Sequence, residues 1–283
     1  MNIMPKIKQR GKEYYEIMQK IYEEAIKLHK ENNFGRRRIS RIIEEKYGIK
    51  IHPTTIYRWW HKGRRPLGNC KKIKICPELA YVITAWLGDG SLEFRKRERR
   101  YGITLRVKDY DFAEEFGRCA GIANNHSSPY KPYLLSSGFY CVIFSNFMLY
   151  HLLKHSRENP WILMPYLKPY PAEACRGFFD AEGNPHFNGY YCYIKASNDN
   201  IELLKMIAEL LKSLDVSTKI YEEKIKQKTM IINGRITHRN VDKRFILVTQ
   251  RKEDTIKFYE KVGFTIKRKQ EKLKQAMTIL RWI

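Results

Sequence analysis

The chain has 283 residues, 43% of them hydrophobic, and carries 54 Lys and Arg against 30 Asp and Glu, a formal net charge of +24. That length suits about two domains with real cores, and so large a basic excess points to a polyanion, most simply nucleic acid; a chain basic only for solubility is the bland alternative. No run approaches a membrane span, the N-terminus has no apolar signal core, and the six cysteines lack Cys-x-x-Cys spacing, which argues against membrane insertion, a zinc ribbon and a secreted disulfide framework.

Residues 1–12 are polar and basic. Ile17, Ile21, Ala25 and Leu28 then recur at helical spacing and predict an amphipathic helix over 13–30. Asn32-Asn33-Phe34-Gly35 breaks it, a second helix is expected over 39–47 with Gly48 at its end, and Pro53 opens a third over 54–62. A helix, a Gly-bearing turn and a helix rich in Thr, Tyr, Arg and Trp resemble a helix-turn-helix of the resolvase/transposase type. On that reading Thr54, Thr55, Arg58 and His61 face a major groove, with Arg36 and Arg37 of the Arg36-Arg37-Arg38 run beside them, while Ile56 and Trp59 or Trp60 pack inward. A plain three-helix bundle is the alternative. Residues 62–68 read as a linker in which Arg64 and Arg65 either enter a minor groove or simply flank an extended turn.

From Lys72 the texture changes. Pro77 opens an apolar helix that ends at Asp89-Gly90, followed by strand-like runs at 91–97 and 101–107. Between them a basic segment holds Arg95, Lys96, Arg97, Arg99 and Arg100, suited to a hairpin lying in a major groove. A helix over 109–121, a strand hairpin over 131–145 turning near Ser136-Ser137-Gly138, and a helix over 146–155 come next. His151 and His155 lie four apart on that helix, a possible metal pair; no Glu occupies the His-Glu-x-x-His place, so a structural role is expected. Residues 156–171 contain four prolines and read as a connector.

The order then repeats: a helix ending Asp180-Ala181-Glu182-Gly183, strands around Phe187 and over 190–196, a helix over 200–214, a strand pair at 218–226 (with Lys224 and Lys226) and 245–250 joined by a basic connection over 230–240, a helix over 252–262 and a basic helix from Lys267. Aligned without a gap, Arg106-Val107-Lys108-Asp109-Tyr110-Asp111-Phe112 matches Lys195-Ala196-Ser197-Asn198-Asp199-Asn200-Ile201. This sets Arg106 opposite Lys195 in a tandem duplication in which Asp89 matches Glu182.

The two helix ends carry the chemistry. A carboxylate in the last turn faces the negative end of the helix dipole, so stability alone disfavours Asp89 and Glu182. Gly90 and Gly183 suit helix C′ positions at positive φ. Thr84/Gly88 and Gly177/Ala181 put small residues on one face of each helix, which predicts two helices in close contact with their carboxylates adjacent. Two such acids can hold Mg²⁺, which activates water and clamps the oxygens of a phosphodiester. Arg106 and Lys195 are the candidates for stabilising transition-state charge, Lys108 a weaker one. Asp180 is expected to be a helix-end or supporting residue.

These stretches resemble the LAGLIDADG homing endonucleases over about residues 74–283. The resemblance is carried by Leu87-Gly88-Asp89-Gly90-Ser91-Leu92, by Gly177-Phe178-Phe179-Asp180-Ala181-Glu182-Gly183 and by Val262-Gly263-Phe264-Thr265-Ile266-Lys267-Arg268-Lys269; Cys175 and Arg176 depart from the small or apolar residues usual before the second motif. It implies an α+β fold of two pseudo-symmetric αββαββα subdomains, 74–160 and 171–283, forming a DNA-binding saddle after an all-α helix-turn-helix domain at 1–66. It also implies site-specific cleavage of double-stranded DNA by a monomer in intron homing. Two or three Mg²⁺ ions, replaceable by Mn²⁺, would be held by Asp89 and Glu182 with Gly88 and Ala181. A non-cleaving transcription regulator and an RNA maturase are the alternatives. The expected location is a prokaryotic cytoplasm, at the nucleoid, in keeping with an archaeal source.

Overall fold

The computed structural model describes residues 12–63, 73–95, 100–224, 229–232, 235–238, 243–249 and 251–283. The chain divides into two compact units, Met1–Cys70 and Lys71–Ile283. Among the described residues no helix is long and apolar enough to cross a membrane.

In the first unit α1 (Lys12–Asn32), α2 (Arg36–Tyr47) and α3 (Pro53–His61) close around Ile21, Ala25, Ile39, Ile43, Ile56 and Trp59. α2 stops where Gly48 takes a left-handed φ of 62°, a conformation open to glycine at no steric cost. α3 opens on Pro53, and His52 Nδ1 caps it by accepting from the Thr54 backbone N–H at 3.3 Å. Ser40 Oγ donates to the Ile51 carbonyl at 2.5 Å and ties the turn back to α2.

The first half of the second unit runs α4 (Pro77–Asp89), β1 (Gly90–Arg95), β2 (Arg100–Val107), α5 (Tyr110–Ala123), β3 (Tyr133–Leu134), β4 (Tyr140–Ser145) and α6 (Phe147–Ser156). The expected connector over 156–171 is instead built from a 3₁₀ turn, Pro160–Leu163, and the short helix α7 (Met164–Leu167). Pro160 and Pro165 lie in the first turns of these two elements, where the backbone N–H needs no helical partner, and Pro160, Leu163 and Leu167 are buried. The second half runs α8 (Pro171–Glu182), β5 (Gly183–Phe187), β6 (Cys192–Asn198), α9 (Ile201–Lys212), β7 (Thr218–Lys224), β8 (Thr229–Ile232), β9 (Arg235–His238), β10 (Lys243–Thr249), α10 (Lys252–Lys261) and α11 (Lys267–Ile279). The basic connection between the last two sheet strands thus contains an added antiparallel pair, β8 with β9.

Each half folds its four main strands into an antiparallel sheet, in the orders β1-β2-β4-β3 and β5-β6-β10-β7. Strand alternation sends Ile103, Leu105 and Val107 of β2, and Cys192, Ile194 and Ala196 of β6, into one core shared with the helices. Thr104 and Arg106, and Tyr193, Lys195 and Ser197, therefore stand on the opposite faces. α4 is buried at every position from 79 to 86, the pattern of a helix surrounded by protein, and it packs along α8 at the middle of that core. Each large apolar side chain so enclosed contributes about 1.5–3 kcal/mol.

Candidate active site between the two central helices

Small residues set the distance between α4 and α8. A Cβ added to Gly177 would overlap the Tyr81 carbonyl oxygen and stand 2.6 Å from Thr84 Oγ1; one added to Gly88 would overlap the Ala181 methyl and stand 3.1 Å from Glu182 Cγ. The helices touch backbone to backbone, and Asp89 and Glu182 leave their C-terminal ends together.

Gly90 and Gly183 do not take the positive φ expected of them. Both are extended, with φ of −87° and −85°, because each is already the first residue of a strand. Glycine is needed for space instead. A Cβ at Gly90 would overlap the Trp86 ring, and one at Gly183 would stand 2.5 Å from the Phe179 carbonyl oxygen.

The two acids are electrostatically strained. Desolvation pushes Glu182 up to about 7, and the neighbouring Asp89 adds to it; the Asn198 hydrogen bond and the charge of Arg244 oppose it. Asn198 Nδ2 donates to Glu182 Oε1 at 2.9 Å. Asp89 is exposed as a residue, yet protein crowds its carboxyl enough that desolvation raises its pKa, against the charge of Lys269 and with that of Asp109. Among the described residues no cluster of three or more His, Cys, Asp or Glu side chains is arranged to hold a metal. The pair fits Mg²⁺, which takes one or two carboxylates and fills its remaining positions with water and substrate phosphate.

The family model of the LAGLIDADG-like domain matches residues 170–263. The uncharacterized protein MJ0398 of Methanocaldococcus jannaschii is 34% identical over 255 residues, 89% of this chain and 91% of that protein. The chain belongs to the LAGLIDADG-like family. A second protein of the same organism, MJ0314, is 30% identical over 176 residues, 55% of this chain and 62% of that one. Among solved structures, mesophilic variants of the homing endonuclease I-DmoI align over 66% of this chain and 95% of theirs, with 16% identity and a TM-score of 0.45. Full-length DUF199/WhiA of Thermatoga maritima aligns over 72% of this chain and 61% of its own, with 16% identity and a TM-score of 0.42.

In this LAGLIDADG-like chain Asp180 locks the motif helix in place. It is buried; its Oδ2 accepts from the Tyr81 hydroxyl of α4 at 2.7 Å, and its Oδ1 accepts from the backbone N–H of Thr265 at 2.9 Å and of Ile266 at 3.4 Å. Cys175 is fully buried, and Arg176 Nε donates to the Val262 carbonyl at 2.7 Å, so the departure from the usual motif residues is absorbed by packing. Burial raises Asp180 from the ordinary 3.8 to about 6. Between those values the folded chain keeps a proton that the unfolded chain releases, so this group's contribution to stability falls as pH rises from about 4 to about 6 and is level above. The melting temperature of Asp180→Asn, minus that of the wild type, should rise over the same interval; a flat difference would exclude the shift.

The gap-free repeat alignment is displaced. Gly90 pairs with Leu105 and Gly183 with Ala196, while Asp109 precedes α5 and Asn200 precedes α9. The true matches are therefore Thr104 with Lys195, Leu105 with Ala196, Arg106 with Ser197 and Val107 with Asn198. The sequence misleads because Asn198, Asp199 and Asn200 are all good helix caps; in the structure it is the Asn200 side chain that accepts from the N–H groups of Glu202 and Leu203. A two-residue slip keeps the face, so Arg106 and Lys195 still share the outer side of their sheets. The ladders end at Gly90 opposite Leu105 and at Gly183 opposite Ala196, so Arg106 and Ser197 are the next residues of β2 and β6 after the partners of those glycines. Lys195 lies beyond, across from Asn184.

Lys269 and Arg244 act on the acids, roles not expected from the sequence, where Lys269 stands only at the end of a family-like stretch. Lys269 is buried, and its Nζ donates to the Asp180 carbonyl at 2.6 Å and the Phe179 carbonyl at 3.3 Å, covering the end of α8. Only the approach of the last helix to the first motif's partner reveals it: Arg268 beside it clasps Asp109 through two bonds of 2.6 and 2.8 Å.

Arg95 and Arg100 share the outer face with Arg106, by their pairing, and Arg95 Nε contacts Glu93 Oε1 at 2.8 Å. Lys224 pairs with Lys243 and falls on the face of Ile220 and Leu247, opposite to Lys195. Lys108 matches Asp199 and is exposed. In the first unit Arg36, Arg37, Thr54, Arg58 and His61 are exposed and Thr55 is half-buried; the Arg36 guanidinium lies 5.3 Å from the Tyr57 ring centre. Ile56 and Trp59 are buried on the other side of α3. His151 packs among Tyr101, Phe147 and Tyr150, and His155 contacts the His151 carbonyl at 2.7 Å. Arg64, Arg65, Arg97, Arg99 and Lys226 lie outside the described residues.

Proposed function

We propose that this chain is a divalent-metal-dependent endonuclease of double-stranded DNA, in which Asp89 and Glu182 hold Mg²⁺. The observation that carries the reading is the pair itself: two desolvated acids brought together at the wrong ends of two helices by a backbone contact that leaves no room for larger side chains. A bound Mg²⁺ would lower the pKa of a water and offset the charge developing on the phosphate. Mn²⁺ offers the same oxygen-directed chemistry. Gly88 and Ala181 set the separation of the acids. Arg106, on the outer face of β2 one residue past the partner of Gly90, would bind the phosphate, with Lys195 on the outer face of the other sheet. Arg95, Arg100 and the outer faces of both sheets would position the duplex, since phosphate contacts orient and base contacts specify. One chain carries both halves, so a single copy holds the complete site.

The first unit is proposed as a second DNA contact, with α3 in a major groove: Thr54, Arg58 and His61 share one exposed face at helical spacing. Arg58→Ala should weaken DNA binding and reduce the slope of log affinity against log salt by roughly 1; an unchanged slope would remove α3 from the interface.

The direct test incubates the purified chain with a randomised duplex library and Mg²⁺ and recovers cut ends by ligation. A defined cleavage sequence that disappears with EDTA supports the reading. Specific binding with no cut in Mg²⁺ or Mn²⁺ would instead favour a non-cleaving regulator, the reading that a separate three-helix unit with a basic outer face also suits.

A further inference from the structure

The two acids are held differently. The Asn198 side chain is fixed from one end: its Oδ1 accepts the Asn200 backbone N–H at 2.9 Å. That bond leaves only Nδ2 to face the site, where it donates to Glu182 Oε1 at 2.9 Å. The donor is therefore presented by the turn that starts α9, and Glu182 is held before anything binds. The matching position in the first half is Val107, a buried side chain with no hydrogen-bonding group. Among the described residues, no side-chain amide donates to Asp89 in this way. The matched N-cap, Asp109, is drawn away from α5 by the Arg268 clasp.

We propose that Asn198 is the positioning residue of the metal site. It presets Glu182 as the fixed ligand and leaves Asp89 as the one that settles when the cation arrives. The inference rests on the functional reading above and adds to it an inequality between the halves that the motif acids alone do not contain. A donor that orients a carboxylate ligand raises metal affinity because the ordering cost is met during folding, and removing such partners typically lowers metal affinity or activity 10–100-fold. The second oxygen of Glu182 stays free of the amide and is the one offered to the cation.

The test uses the full chain and Tb³⁺, a hard oxygen-seeking cation, read by luminescence sensitised through tryptophan; Trp86 lies one turn before Asp89 on α4. Asn198→Ser is the informative variant. A serine hydroxyl can still accept from the backbone two residues on but is too short to reach Glu182. It should melt as the wild type does while binding Tb³⁺ about tenfold more weakly, and its DNA cleavage should recover as Mg²⁺ is raised. Asn198→Ala, which also loses the turn, should bind no better. If Asn198→Ser binds Tb³⁺ within twofold of the wild type while Glu182→Gln abolishes binding, the metal site stands and the positioning role is overturned. If the wild type binds no Tb³⁺, or Glu182→Gln binds it unchanged, the site assignment fails and this inference fails with it.

Discussion

Glu182→Gln should slow DNA cleavage by roughly a thousandfold or more, about 4 kcal/mol in the barrier, and should leave the fold more stable. Glutamine keeps the length of the side chain and an oxygen that can accept from Asn198 Nδ2, so the helix ends need not move. What it removes is the charge. In the wild type that charge is disfavoured by desolvation and by Asp89, which together push Glu182 up to about 7. At pH 8 the carboxylate is ionised in the folded chain at a cost that an amide does not carry. The variant should therefore melt above the wild type at pH 8 and approach it at pH 5, where both the folded wild type and the variant are neutral at this position. Asp89→Asn should behave alike in cleavage. DNA affinity measured without metal should hold or rise, because each substitution removes one negative charge facing phosphate. Loss of activity with gain of stability is the mark of a residue kept for chemistry. Cleavage that survives both substitutions would exclude the pair as the catalytic site, and a variant that melts lower at pH 8 would exclude the strain assigned to it.

Gly177→Ala should lower stability by about 2 kcal/mol and cleavage by about a hundredfold. The added methyl would overlap the Tyr81 carbonyl oxygen and meet Thr84 Oγ1 at 2.6 Å. Its first neighbour is helix backbone, which cannot rotate aside, so α4 and α8 must separate. Overpacking of this kind costs about 3 kcal/mol, offset by about 1 kcal/mol from replacing glycine in a helix. The functional loss has a separate origin: the acids sit on the ends of the two helices, and a displacement of about 1 Å between reacting groups can cost a factor of about a hundred. Chemical denaturation and Mg²⁺-dependent cleavage measure the two effects independently. Ala181→Gly, which removes a methyl from the same crossing, should bring the helices no further apart and so should spare activity relative to Gly177→Ala. Equal stability and equal cleavage for Gly177→Ala and the wild type would mean that the helices do not cross backbone to backbone.

Apart from the short helices of the connector and the added pair β8 and β9, the sequence by itself determined the duplication, the main helices and sheet strands of each half and the match of Asp89 with Glu182. These are local facts: helical periodicity, turn residues and an acid placed against a helix dipole can be read without knowing which elements touch. The match of Arg106 with Lys195 is two residues out of register, and an even slip still leaves both on the same side of their strands. Only the tertiary structure decided their true partners. Three consecutive capping residues, Asn198, Asp199 and Asn200, allowed a gap-free alignment two residues out of register, which the ladder pairing Gly183 with Ala196 corrects. The same is true of Asn198 itself, which reads as a turn residue and becomes the donor to Glu182 only because β6 lies beside the end of α8. Arg268 and Lys269 read from the sequence only as part of a basic helix and a family-like ending; Lys269 is buried against the end of α8 and Arg268 binds Asp109, more than a hundred residues away in the chain. Gly90 and Gly183 looked like left-handed caps and are required instead by the Trp86 ring and the Phe179 backbone. In each case the deciding quantity is a distance between atoms that are remote in sequence, and such distances are set by how the helices and sheets pack, not by local conformational preference.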